Sequence, residues 1–234
     1  MVVTKIADWG EFVLAEYTQT FDKSDISYFF PLMEQCENNL GFKPKQAAMD
    51  AAYDAFYVYE YFHDASDSEC FAAVPLVEKG GHKAKVFDNN GLPLCEAQLA
   101  MPLKSTFINK TSLVQHQRGR FACPLLHPKK CADSCPINHK HWDKGGCIST
   151  LPTSVGTRVR YQLDRDSDSY KSVYKQRTAT ERINSQAVEL GIERPKLRNQ
   201  NSIANHNTLI YVLINLKALK RIQTKQDSLD SNLL

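Results

Sequence analysis

Residues 174–186 read YKQRTATERINSQ, and the reading of this polar stretch decides the fold. Tyr174, Arg177 and Glu181 stand at i, i+3 and i+7, a spacing that brings three side chains onto one face of a helix. A glutamate held there beside a cation is either a surface ion pair or a positioned metal ligand. As an i, i+4 pair it would contribute only about 0.2–0.5 kcal/mol, with better support when the acid precedes the base. Here the acid comes second, so stability explains the arrangement poorly.

Working outward, the N-terminal segments VVTKIA and EFVLAEYT flank Asp8-Trp9-Gly10 and predict a β-hairpin. Ile26, Phe29, Phe30, Met33 and Cys36 then recur at three- and four-residue steps, predicting a helix from Asp25 with Ser24 as N-cap and Gly41 as its end. QAAMD reads as a short buried strand ending on Asp50, AAYDAFYVYEYFHD as a helix, and FAAVPLV at 71–77 as a strand. The order β-β-α-β-α-β is an α/β pattern. Residues 78–155 are rich in Gly, Pro, Lys and His and read as an inserted region of loops and short strands. TRVRYQL at 157–163 predicts a strand, followed by one long polar helix from Ser169 to about Leu190. A last helix is expected from about Ser202 to Gln223, and a frayed tail after Lys225. The domain reading is therefore 1–77 and 156–225 for a core, 78–155 for a Cys/His-rich insertion, and 226–234 for a flexible tail.

Asp50 has two readings. An aspartate between a strand and a helix often caps the helix, and strand ends also present functional groups in α/β sheets. Paired with Glu181, it suits two-metal chemistry, in which hard oxygen ligands hold divalent cations about 3.5–4 Å apart while an oxygen nucleophile attacks a phosphodiester in line. Arg177 is placed to contact phosphate or orient the carboxylate, and Tyr174 to pack beside it.

The pattern of Tyr174, Arg177 and Glu181 resembles the signature around the catalytic glutamate of DDE insertion-sequence transposases, the bacterial group with an insertion before that glutamate. MDAAYDAFYVYEYF resembles the segment around the family's second catalytic aspartate, which maps onto Asp50 with Tyr53 and Asp54 completing the motif. ELGIERPKLRNQNSIANHNTLIYVLINLKAL resembles its C-terminal helices, so the likeness runs over nearly the whole chain. It implies an RNase H-like α/β core with the cysteine-rich region inserted, Mg²⁺ or Mn²⁺ at the carboxylates, and strand cleavage and transfer on double-stranded DNA at transposon ends. It also implies a homo-oligomeric synaptic complex and nucleoid association, while the charged N-terminal stretch MVVTKIADWGEF leads to the expectation of a cytoplasmic protein. Two departures stand out. Val188 occupies the position of the family's usual lysine, for which Arg182 or Lys196 are substitutes. No aspartate stands on an opening strand: Asp8 falls in the hairpin turn, and Asp22 and Asp25 at the next helix start. An incomplete core lacking its first strand, from an N-terminally truncated or interrupted reading frame, is therefore expected. The rival expectation is a non-catalytic DNA-binding or zinc-stabilised remnant.

Charge and cysteine content complete the reading. Residues 1–150 carry 15 Lys+Arg against 18 Asp+Glu, whereas residues 151–234 carry 14 against 8, a basic C-terminal third suited to a polyanion. Arg158, Arg160, Lys175, Arg182, Lys196 and Arg198 are the candidate DNA contacts, each weighed against an ordinary solvated charge. The longest apolar run, LIYVLINL at 209–216, is too short to span a bilayer, and MVVTKIADWGEF has charges where a signal peptide would be apolar. Of seven cysteines, Cys123, Cys131, Cys135 and Cys147 crowd together, with His127, His139 and His141 among them. They are candidates for a closed Zn²⁺ site, with unliganded thiols, an iron–sulfur cluster and a zinc enzyme as the alternatives. Cys36, Cys70 and Cys95 read as small core residues.

Overall fold

The computed structural model describes residues 1–6, 9–19, 22–77 and 84–231. In chain order its elements are β1 (Val2–Ile6), β2 (Gly10–Ala15), α1 (Phe29–Leu40), β3 (Gln46–Ala48), α2 (Phe56–Phe62), β4 (Phe71–Ala73), β5 (Leu103–Asn109), β6 (His116–Ala122), β7 (Ile148–Pro152), α3 (Val155–Gln162), α4 (Asp168–Lys175), α5 (Thr178–Glu189) and α6 (Gln200–Ser231). Short 3-10 turns lie at Asp25–Tyr28, Ala51–Tyr53 and Trp142–Lys144. The class is mixed α/β, and the largest sheet among the described residues has three strands. The chain divides into two units, Met1–Tyr53 with Ser167–Leu234, and Asp54–Asp166.

The first unit is built on the expected hairpin. β1 and β2 pair antiparallel, Val3 opposite Val13 and Ile6 opposite Gly10. The turn residue Asp8 lies outside the described residues. An exposed strand edge leaves backbone groups unpaired, and here side chains satisfy them. The Asn215 amide donates to the Val13 carbonyl at 2.9 Å and accepts from the Val13 N–H at 2.8 Å. Asn39 donates to the Leu14 carbonyl, and Gln35 accepts from the Glu16 N–H. α5 and α6 close over the hairpin through Ile183, Ala187, Ile210 and Ile214, with Val3 and Val13 packed against them. Each of the three buried isoleucines contributes roughly 1.5–3 kcal/mol. α1 buries Phe29, Leu32, Met33 and Cys36, one stripe at helical spacing, and Gly41 closes it at φ 74°, where glycine alone is unstrained. Ser24 sits at the entry as expected, but its hydroxyl meets that of Ser27 rather than a backbone N–H.

The second unit has an antiparallel sheet of β5, β6 and β7 packed on Met101, Phe121 and Leu151. Here the sequence reading needs correction. Residues 157–162 are helical, not extended: α3 spans Val155–Gln162, and the Ser154 hydroxyl caps it by accepting from the Gly156 N–H at 3.0 Å. The alternation of Val159, Tyr161 and Leu163 suggested a strand, but the cap and close packing on α2 decide the outcome. A Cβ on Gly156 would lie 2.1 Å from the Phe56 carbonyl oxygen, so glycine is what lets α2 and α3 touch. That contact ties Asp54–Phe62 to residues 155–162, which is why the unit reaches beyond the 78–155 region marked by composition.

Two further differences concern the C-terminal third. The single helix expected from Ser169 to Leu190 is interrupted at Gln176–Arg177, where bonds tighten to i, i+3: Gln176 N–H to Val173, Arg177 N–H to Tyr174, and Ala179 N–H to Gln176. The last helix runs on through the segment expected to fray, to Ser231. No described helix is long and apolar enough to cross a membrane.

Candidate functional site

Tyr174 lies in the last turn of α4, Arg177 sits in the junction, and Glu181 lies in the first turn of α5. Despite the interruption the three remain connected. The Arg177 guanidinium stands 5.9 Å from the centre of the Tyr174 ring and donates to Glu181 Oε1 at 2.8 Å. Tyr174 in turn stacks on Tyr170, ring centres 5.7 Å apart and tilted by 12°. The Glu181 side chain is 56% exposed. One carboxylate edge is therefore held by arginine while the rest faces solvent.

Asp50 follows β3 by two residues and is exposed. Its Oδ1 accepts from the Ala52 N–H at 2.9 Å and its carbonyl from the Tyr53 N–H, so it caps the 3-10 turn at Ala51–Tyr53. The helix that Asp50 was expected to cap begins only at Phe56, so Asp50 caps the intervening turn instead. α4 packs on β3, which places the helix pair and the strand leading to Asp50 in one unit. Burial first, then the negative charges of Asp25 and Asp50, push the Tyr53 phenol up to about 12. Asp25, assigned from the sequence only to a helix start, thereby acts on the same tyrosine as Asp50. Among the described residues no three His, Cys, Asp or Glu side chains are gathered into a ready-made ligand set.

The candidate cations fall into different settings. Lys175, Lys196 and Arg198 are exposed in the first unit. Arg182 donates through Nε to Glu11 Oε1 at 2.8 Å, a bond that raises its pKa above the ordinary guanidinium value. With Lys5, Trp9, Glu11, Gln186 and Arg221 it lines a groove of about 450 Å³ in the same unit. Arg158 and Arg160 belong to the second unit. Arg158 lies against Gly91, and Arg160 is committed to Asp54, so phosphate contact by Arg160 would require breaking an internal ion pair.

That ion pair was not anticipated. Asp54, 2% exposed at its side chain, accepts from Arg160 Nε at 2.7 Å and Nη2 at 2.5 Å, from the Tyr59 hydroxyl at 2.8 Å, and from the Val77 N–H at 2.7 Å. Arg165 completes it, donating to the Tyr59 hydroxyl, the Val74 carbonyl and the Arg160 carbonyl. Burial and the adjacent Asp54 charge hold the Tyr59 phenol far above its ordinary range. The partners lie 106 residues apart, and no local pattern announces such a pairing.

The cysteines are also redistributed. Cys131 is exposed, its thiol directed at the Pro124 and Leu125 carbonyls. Cys95, Cys123, Cys135 and Cys147 instead line one cavity, together with His139. Burial and the neighbouring Cys123 and Cys95 push the Cys147 thiol up to about 12.

No family model, no curated protein and no solved structure matches this chain.

Proposed function

We propose that the chain is a DDE-type transposase that acts on double-stranded DNA at transposon ends, with Asp50 and Glu181 binding divalent cations on an incomplete RNase H-like core. The observation that supports this reading most is the exposed Glu181 carboxylate, fixed at Oε1 by Arg177 while Arg177 rests on the Tyr174 ring. An exposed ion pair adds little stability, so the arrangement has no strong structural motive. The donors fit Mg²⁺ or Mn²⁺: both are carboxylates, and each bond described above engages one oxygen of its group. When bound, such cations polarise the scissile phosphate and activate the attacking oxygen. Asp50 and Glu181 would hold them, Arg177 orients Glu181, and Lys175, Lys196 and Arg198 position the DNA backbone, with Arg182 joining them from its exposed pair with Glu11. The groove lined by Lys5, Arg182 and Arg221 offers cations to a phosphate backbone, with Glu11 beside Arg182 as its acidic neighbour.

The test is strand cleavage of DNA carrying the element's terminal inverted repeats, with Mg²⁺ or Mn²⁺, comparing the chain with Glu181→Gln. Cleavage by the chain and none by the variant supports the reading; equal cleavage by both contradicts it. One observation favours a second reading, DNA binding without cleavage: Asp50 already caps a turn, and among the described residues no third acid joins it and Glu181 in a ligand set. That reading expects salt-dependent DNA binding with no product in either sample.

A further inference from the structure

We propose that Cys95, Cys123 and Cys147, with a fourth ligand from the Cys135–His139 loop, form a binding site for one Zn²⁺ ion. This inference is independent of the DNA reading, since it concerns only the second unit. Three observations carry it. The cavity these residues line is about 10 Å³, roughly the space of one water-sized sphere, which admits a single ion and excludes an organic ligand. Four thiols and an imidazole border that small space from four separate stretches of chain. They are the soft and borderline donors that Zn²⁺ prefers in tetrahedral structural sites. The approach is also built into the backbone. A Cβ on Gly146 would lie 2.5 Å from Cys123 Cβ and 3.1 Å from its Sγ, and Gly146 holds φ 81°. Only glycine lets the Cys147 segment lie this close to Cys123. Cys95, Cys123 and Cys135 each stand first in a tight turn, their carbonyls accepting from the N–H of Gln98, Leu126 and Asn138.

Ordinary core packing accounts for part of this, because Cys95 and Cys147 also touch the Met101–Phe121–Leu151 cluster. It does not account for Cys135 and His139, which arrive on a loop between Cys123 and Gly146. Among the described residues these side chains border the cavity without meeting at a single point, so binding is expected to tighten that loop around the ion.

Cobalt(II) titration of the reduced, metal-stripped full chain tests the site. The expected result is a thiolate-to-cobalt charge-transfer band and the intense visible bands of tetrahedral Co²⁺, saturating at one ion per chain and displaced by Zn²⁺. Cys95→Ser should weaken binding at least about tenfold, and Cys131→Ser should leave the spectrum unchanged. Both variants are checked by far-ultraviolet circular dichroism, and the wild-type titration does not depend on either folding. The proposal is overturned if wild type gives no charge-transfer band, if Cys131→Ser abolishes it while Cys95→Ser keeps it, or if the reduced chain binds only octahedral, weakly absorbing cobalt.

Discussion

Two arginine–carboxylate pairs of similar length sit in the two units and have opposite consequences. Asp54 and Arg160 are 2% and 17% exposed at their side chains, and tyrosine and backbone donors surround the carboxylate. Glu181 and Arg177 are 56% and 35% exposed, joined by one bond of 2.8 Å. Water screens the second pair, so its removal costs little. In the first pair, removing one partner strands a desolvated charge. A short ion pair on its own therefore says nothing about role; burial separates a fold-holding pair from one free to act on a ligand.

The largest expected effect breaks the buried side of this comparison. Asp54→Ala should cost about 3–5 kcal/mol in urea-unfolding free energy, because Arg160 is left uncompensated. A loss under about 1 kcal/mol would show that water reaches the guanidinium. Next, Gly156→Ala should cost about 1–3 kcal/mol in the same assay, since its Cβ meets the Phe56 carbonyl rather than a movable side chain. A third expectation concerns pH. The folded chain holds the Tyr53 proton up to about 12 whereas an unfolded tyrosine loses it near 10. The folded state thus binds more protons in that window, and stability should fall as pH rises from about 10 to about 12. Tyr53→Phe should remove its share of that slope, leaving the share of Tyr59, whose phenol is held high as well; an unchanged slope would contradict the burial given as the first cause. The smallest effect belongs to the exposed pair, where Arg177→Ala should change stability by no more than about 0.5 kcal/mol. A larger loss would move that pair into the class of Asp54 and Arg160.

What the sequence disclosed follows from how local each feature is. The hairpin, the α1 stripe ended by Gly41 and the long last helix depend on alternation, helical spacing and one left-handed glycine, all written within a few residues. The Tyr174–Arg177–Glu181 connection was legible for the same reason, although the junction at Gln176–Arg177 was not. α3 was misread because Val159, Tyr161 and Leu163 alternate, while the Ser154 cap and the contact of Gly156 with α2 outweigh that signal. Asp50 carried two meanings, and its hydrogen bond to Ala52 caps a 3-10 turn before α2 rather than the helix itself. Cys131 belongs to the cluster along the chain and Cys95 does not, whereas the cavity gathers its thiols by tertiary placement, with Cys95 in and Cys131 out. The network of Asp54, Tyr59, Arg160 and Arg165 joins distant segments and had no sequence signal at all.

The central claim is that Asp50 and Glu181 share divalent cations. Mn²⁺ binding, followed by loss of the free-ion electron paramagnetic resonance signal, tests it in the intact chain without requiring cleavage. The account predicts saturable binding that Asp50→Asn and Glu181→Gln each weaken by at least about tenfold, with the fold unchanged by circular dichroism. Equal Mn²⁺ affinity in wild type and both variants, or no specific binding in any of them, would contradict it.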